Sequence, residues 1–343
     1  MRELTSVEIC AGAGGQALGL EQAGFAHEAA VEIDADACET LRRNRGGEWK
    51  IIEDDVANVD GHAFHGVDLL AGGVPCPPFS IAGRQLGQDD ERDLFPQALR
   101  LVKEVGPRAV LLENVRGLGA RRFEGYRSQV LARLGALGYE TWWDLVHASE
   151  HGVPQLRPRF VLVAVCQPWA GWFHWPEPLP SPPPTVGETL RDLMGSRGWP
   201  GADAWARQAG RIAPTIVGGS KKHGGPDLGP TRARAAWKEL GVDGLGLADD
   251  VPGPDFPLGQ LPKLTVPMVA RLQGFPDSWQ IAGRKTAAYR QVGNAFPPPV
   301  AKALGTAIAA ALRHTNPAPG TPGNEHHASL SSLPGHGLAR PSC

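Results

Sequence analysis

The residue best suited to covalent chemistry in this sequence is Cys76, within GGVPCPPFSIAGR from Gly72. Pro75, Pro77 and Pro78 restrict the backbone on both sides of the thiol. Such flanks make a poor setting for an ordinary buried cysteine, so Cys76 reads as a nucleophile on a stiff loop. A second group is Glu113 with Asn114, which follow four apolar residues in AVLLENVRGL from Ala109. That puts a carboxylate at the end of a buried strand, although a helix cap or solvated loop fits an isolated Glu-Asn pair as well. Arg157 and Arg159, in HGVPQLRPRFVLVAV from His151, alternate onto one face as the chain enters a strand. They could hold a thiolate or another anion; a surface edge strand is the alternative.

A glycine loop supplies the fourth feature. VEICAGAGGQALGL, from Val7, runs from a short strand through Gly12, Gly14 and Gly15 into a helix, and Glu32 ends the next strand. Glycines allow close backbone approach, the helix start offers free N–H groups, and an acid about 20 residues on suits ribose hydroxyls. This describes a nucleoside-cofactor site without separating a nicotinamide dinucleotide from S-adenosylmethionine. The spacing is not the full G-x-G-x-x-G, which tilts the reading away from the dinucleotide.

Positioning these groups requires an ordered sheet. Short apolar runs at Ser6–Cys10, Ala29–Ile33, Asp68–Ala71, Ala109–Glu113, Glu140–Leu145 and Arg159–Val165 predict strands. Amphipathic stretches at Ala17–Ala23, Ala35–Asn44, Phe95–Val105 and Tyr126–Leu137 lie between them. Alternation at this spacing indicates βαβ units and a mostly parallel sheet, whose ligands sit beyond the carboxyl ends of the strands. After Pro168 the pattern changes. WPEPLPSPPPT, from Trp175, reads as a stiff connector, and residues 185 to 287 lose the βαβ rhythm. Pro299–Leu312 is helical by composition and too short to span a membrane. The chain beyond His314, rich in Gly, Pro, Ser and His, predicts a disordered tail; His326, His327 and His336 there fit flexible chain better than a metal site.

A chain of 343 residues, 42% hydrophobic and 20% charged, excludes a disulfide miniprotein, a coiled coil and a wholly disordered chain. Its five scattered cysteines lack a C-x-x-C pair, which argues against a zinc module and fits a reducing cytoplasm. With neither a signal peptide nor an apolar membrane span, the expectation is a cytoplasmic protein. The net charge of −2 says nothing for nucleic acid in bulk, but its distribution does. Between Ala204 and Lys238 stand seven Lys or Arg (Arg207, Arg211, Lys221, Lys222, Arg232, Arg234, Lys238) against Asp227 alone. The interleaved glycines of VGGSKKHGGPDLGP suggest a loop that hugs a phosphate backbone, where a solvated charged face is the plainer alternative.

Taken in order, the glycine loop, V-P-C-P-P-F-S, L-E-N-V, V-P-Q-L-R-P-R-F and Q-V-G-N-A resemble the DNA (cytosine-5)-methyltransferase family, of the bacterial restriction-modification type. The resemblance covers roughly residues 5 to 312. It implies an α/β fold: a Rossmann-like S-adenosylmethionine-dependent methyltransferase domain with a mostly parallel sheet, plus a smaller irregular target-recognition domain. The expected division is 1–170 for catalysis and cofactor, 171–287 for hinge and target recognition, 288–315 for a return segment with its helix, and 316–343 for the tail. In the family's terms Cys76 attacks C6 of a flipped cytosine, Glu113 serves N3, and Arg157 and Arg159 line the pocket, with Arg159 the better candidate for O2. S-adenosylmethionine would be held by Cys10, Ala11, Gly12, Gly14 and Gly15, by Glu32 and Ile33, by Asp55 and Val56, and by Pro75, Leu94, Asn294 and Ala295. Asp54 nearly ties with Asp55. DNA contacts fall to Ser80, Arg84, Gln155, Thr215, Lys221, Lys222, His223, Arg232 and Arg234.

The same resemblance implies a monomer acting on double-stranded DNA, and a cognate restriction endonuclease that shares the site without direct contact. Two residues depart from the family pattern: Pro77 stands where many members have Gln, and Cys10 where Phe is common. RNA methylation, a catalytically silent DNA-binding regulator and a nicotinamide oxidoreductase are the alternatives. The recognition region of roughly 100 residues speaks against the first, and the intact Cys76, Glu113, Arg157 and Arg159 against the second. The Pro-Cys-Pro loop, unexplained in an oxidoreductase, speaks against the third.

Overall fold

In the computed structural model of the chain, the described residues are 2–75, 93–219, 225 and 227–314. Cys76, Ser80, Arg84, Lys221, Lys222 and His223 lie outside them, as does the tail beyond His314.

Among the described residues seven strands form one sheet: β1 (Leu4–Ile9), β2 (Phe25–Glu32), β3 (Lys50–Glu53), β4 (Leu69–Gly72), β5 (Ala109–Val115), β6 (Tyr139–His147) and β7 (Pro158–Cys166), in the order β3-β2-β1-β4-β5-β7-β6. Every pairing from β3 to β5 is parallel, whereas β7 runs antiparallel to both β5 and β6. The reversal has a chemical consequence. It brings the start of β7, where Arg159 stands opposite Val115, to the edge where β1, β2, β4 and β5 end.

Strand side chains alternate between two cores, as a period of two requires. On β5, Val110 and Leu112 join one apolar cluster while Ala109 and Leu111 join the other. Helices α3 (Phe95–Val105) and α4 (Glu124–Ala136) cover the first face, and α10 (Pro298–Leu312) covers the second. Helix α3 begins with a proline in its first turn and ends at Gly106, whose φ of 59° is left-handed. Strand β3 escapes the periodicity because KIIE offers only two apolar residues at a sheet edge.

The segment read as irregular contains helices α5 (Val186–Gly195), α6 (Ala202–Gln208), α7 (Thr231–Glu239) and α8 (Val266–Leu272), followed by α9 (Lys285–Asn294). Helices this short, separated by Gly and Pro, carry too few turns for a 3.6-residue pattern to emerge. Two were nevertheless marked by their caps: Thr185 and Glu188 form a reciprocal capping box on α5, and the Thr265 hydroxyl accepts from Met268 N on α8. Their apolar faces, with Trp205, Trp237 and Met268, share one cluster with Ala13, Leu18 and Trp49 beside the glycine loop. Together α9 and α10 make a stretch long and apolar enough to cross a membrane, but 67% of its apolar window is buried in this protein.

Candidate active site

The predicted groups converge where the parallel strands end. Strand β1 leads into Cys10 and Gly12, both left-handed at φ 52° and 54°, then into Gly14 at φ 80°, the N-cap of α1 (Gly15–Gln22). The three glycines have different reasons to be glycine. A Cβ on Gly12 would meet nothing within 4 Å, whereas on Gly15 it would lie 2.2 Å from the Phe296 carbonyl and on Gly14 2.7 Å from Leu41. Of the three, Gly12 alone faces open space among the described residues. Gly14 and Gly15 are fixed by packing, against Leu41 and Trp279 and against the chain entering α10.

Glu32 holds this loop in shape. Its carboxylate accepts from Gly12 N at 2.7 Å, Ile33 N at 2.9 Å and Asp34 N at 2.8 Å. Oε2 carries one of the three bonds, so it retains an acceptor site for a ribose hydroxyl. Ile33 beside it is 65% exposed, an apolar plate suited to a purine face. Asp55 lies close enough to Cys10 for its charge, after burial and the charges of Glu32 and Glu8, to help push that thiol upward. The Asp54 carboxylate instead accepts locally from Asp55 N and Asn58 Nδ2. These features fit an adenosyl group: open backbone at Gly12, an apolar plate at Ile33, and free acceptor capacity at Glu32.

The candidate reacting groups stand on β5 and β7. Glu113 is buried near the end of β5, and the Arg159 guanidinium contacts its Oε1 from Nε at 2.6 Å, an ion pair without hydrogen-bond geometry. Asn114 reaches across to the segment that follows β4 and donates to the Val74 carbonyl at 2.8 Å, two residues before Cys76. The Pro75 carbonyl accepts from Leu94 N at 3.4 Å. The chain entering the cysteine loop is therefore tied to the strand that carries Glu113.

Three expectations need correction. Arg157 does not line a pocket: it is fully buried, and its guanidinium donates to the carbonyls of Ile216 (2.7 Å), Gly293 (2.9 Å) and Ala295 (2.8 Å). Burial, with the charge of Arg159, pulls its pKa well down. Gln155, expected on DNA, is equally buried; it accepts from Ile216 N at 2.9 Å and donates to Gln273 at 2.5 Å. Gln273 passes the link on to Ala295 O. Ala295, expected at the cofactor, is buried and its carbonyl is taken by Arg157 and Gln273, whereas Asn294 beside it is exposed and donates to the Gly219 carbonyl at 3.2 Å. These residues form a polar node joining β7, the segment around Thr215 and the Q-V-G-N-A turn. The Thr215 hydroxyl itself donates to Leu156 O.

Of the expected basic contacts, Arg232 is exposed on α7, and Arg234 is 3.7 Å from Asp227. Arg211 is likewise paired, with Glu239 at 2.7 Å, the residue that follows Lys238. The sequence also missed Gln273 and Trp279, whose indole donates to Ala13 O at 3.0 Å. Both stand far along the chain from what they hold, and neither belongs to a readable motif.

Comparison with known proteins follows the same lines. The family described as C-5 cytosine-specific DNA methylase matches residues 4–226 and 230–310. The chain is 61% identical over 316 residues to the Type II methyltransferase M.NaeI of Lentzea aerocolonigenes, covering 91% of this chain and 76% of that one. It is 51% identical over 317 residues to the Type II methyltransferase M.NgoMIV of Neisseria gonorrhoeae, covering 92% and 100%. The fold resembles the methyltransferase EhMeth of Entamoeba histolytica with a TM-score of 0.65 at 12% identity, over 92% of this chain and 100% of that one.

Proposed function

The chain belongs to the C-5 cytosine-specific DNA methylases, and on that premise we propose how its own residues divide the reaction. The protein is a DNA (cytosine-5-)-methyltransferase, and it moves a methyl group from S-adenosylmethionine to C5 of cytosine. When bound, S-adenosylmethionine supplies that methyl as an electrophile on sulfur. Gly12, Glu32, Ile33 and Asp55 hold the adenosyl half at the ends of β1, β2 and β3.

C5 of cytosine is a weak nucleophile, because the ring is aromatic and electron-poor. Cys76 remedies this: its thiolate bonds to C6, and the C5=C6 electrons move toward C5 and N3. Glu113 shares a proton with N3, and Arg159, paired to Glu113, faces O2. Once C5 carries the methyl, a base takes H5, the C5=C6 bond reforms and Cys76 leaves as thiolate. The target cytosine must leave the duplex to reach these groups. The substrate is double-stranded DNA and the enzyme acts in the cytoplasm as a monomer. It is the protective partner of a restriction endonuclease that reads the same site.

The observation that carries this division is the contact of Glu113 with Arg159, on a strand tied through Asn114 to the start of the cysteine loop. Incubation of Glu113→Gln with labelled S-adenosylmethionine and unmethylated DNA tests it. Methyl transfer should drop by about a hundredfold to ten-thousandfold, the range for a positioned proton donor. Activity near that of the wild type would contradict the role of Glu113.

A further inference from the structure

Directly beyond Glu113 the chain makes two tight turns, Arg116–Gly119 and Arg121–Phe123, whose arginines face out and whose apolar residues face in. Leu118 and Phe123 are buried, and Gly119 packs against the Phe160 ring. Arg127 braces the turns from beneath, donating to the carbonyls of Leu118 at 2.6 Å and Ala120 at 2.9 Å. The result is a supported platform, fixed to β7 by the pairing of Val115 with Arg159.

Three exposed arginines stand on it: Arg116, Arg121 and Arg122. Among the described residues none of them has a carboxylate within ion-pair distance. That sets them apart from Arg43 with Glu39, Arg191 with Asp203, Arg211 with Glu239 and Arg234 with Asp227. Three exposed positive charges within seven residues of chain favour an anion beside them. A guanidinium is the side chain best shaped for phosphate oxygens.

We propose that Arg116, Arg121 and Arg122 form the catalytic-side wall of the DNA cleft, holding phosphates of the strand whose cytosine enters beside Glu113. The inference rests on the DNA reading above and adds a surface to it. Phosphate contacts on this side then come from the turns after β5, separately from any made by the basic segment near Lys221.

The test is the salt dependence with which the full chain binds a mixed-sequence duplex. Each phosphate contact contributes about 0.9 to the slope of log affinity against log salt. The variant R116Q/R121Q/R122Q should therefore bind more weakly and lose about two to three from its slope, while R43Q, whose arginine is already paired, keeps the wild-type slope. Thermal unfolding of the triple variant checks its fold; if it fails, each single variant should lose about 0.9. A slope equal to that of R43Q would overturn the proposal, as would a loss seen only on structured RNA. Methyl transfer by the wild type to unmethylated DNA is measured separately. Its absence would strike the DNA reading itself and leave the slopes to decide the phosphate surface.

Discussion

Arg157 shows how far a residue's type can be readable while its job is not. An arginine two positions before Arg159 has the strand parity of a pocket residue, yet its three strong bonds all end on backbone carbonyls far away in sequence. Its removal leaves the Ile216 and Gly293 carbonyls unpaired in a dry interior, at about 1–3 kcal/mol for each, while the Ala295 carbonyl keeps Gln273. Arg157→Leu should consequently lower the unfolding midpoint sharply, and Arg157→Lys, with one ammonium for a planar fork, should recover only part of the loss. Equal midpoints for wild type and Arg157→Leu would contradict this placement. Glu113, by contrast, was legible: four apolar residues before a carboxylate describe a buried strand end, which is where it stands. Arg157 and Gln155 were misplaced because their partners come from Ile216 and Gln273, and a sequence does not show which distant group a side chain will meet.

At the scale of elements, the glycine loop and its helix separate binding from packing. Gly12→Ala adds a methyl where no atom stands within 4 Å, so the fold should bear only the strain of its positive φ, about 1 kcal/mol. Cofactor affinity should suffer instead, by about tenfold for each 1.4 kcal/mol of lost contact. Gly15→Ala should do the reverse, since its methyl would overlap the Phe296 carbonyl and force α1 away from α10. Calorimetric unfolding and cofactor titration of the two variants check this; a Gly15→Ala protein as stable as the wild type would refute it. The strand pair β1 and β2 has its own pH signature. Glu8 and His27 are buried with Oε2 and Nε2 3.6 Å apart, and Ser6 Oγ lies 2.7 Å from His27 Nδ1. Burial, with the charge of Glu32, raises the Glu8 pKa well above its ordinary 4.5, and burial lowers His27 to about 3, so the two are neutral rather than an ion pair. Folded Glu8 keeps a proton that the unfolded chain loses above pH 4.5, so its contribution to stability fades as pH rises through its folded pKa. Relative to the wild type, Glu8→Gln should gain stability as pH rises from 4.5, by up to about 1.4 kcal/mol per pH unit. A gap that stays constant with pH would show that Glu8 is not held protonated.

For the whole molecule, the alternation of apolar runs with amphipathic stretches was enough to place six of the seven strands and the parallel character of the sheet. What it could not supply was the reversed β7, which turns an arginine at a strand start into a partner for Glu113. Nor could it show that helices from the C-terminal half close over the glycine loop, with Trp279 donating to Ala13. Those features depend on contacts between distant parts of the chain, where local periodicity is silent. The proposed reaction, though, turns on Cys76, and one measurement addresses it directly. Duplex DNA carrying 5-fluorocytosine is incubated with S-adenosylmethionine and the protein, then examined by denaturing gel and mass spectrometry. Fluorine at C5 blocks the final elimination, so the wild type should remain covalently attached to DNA and Cys76→Ala should not. An adduct that survives in Cys76→Ala, or none with a wild type that methylates ordinary duplex at C5, would contradict the assignment of Cys76 as the nucleophile.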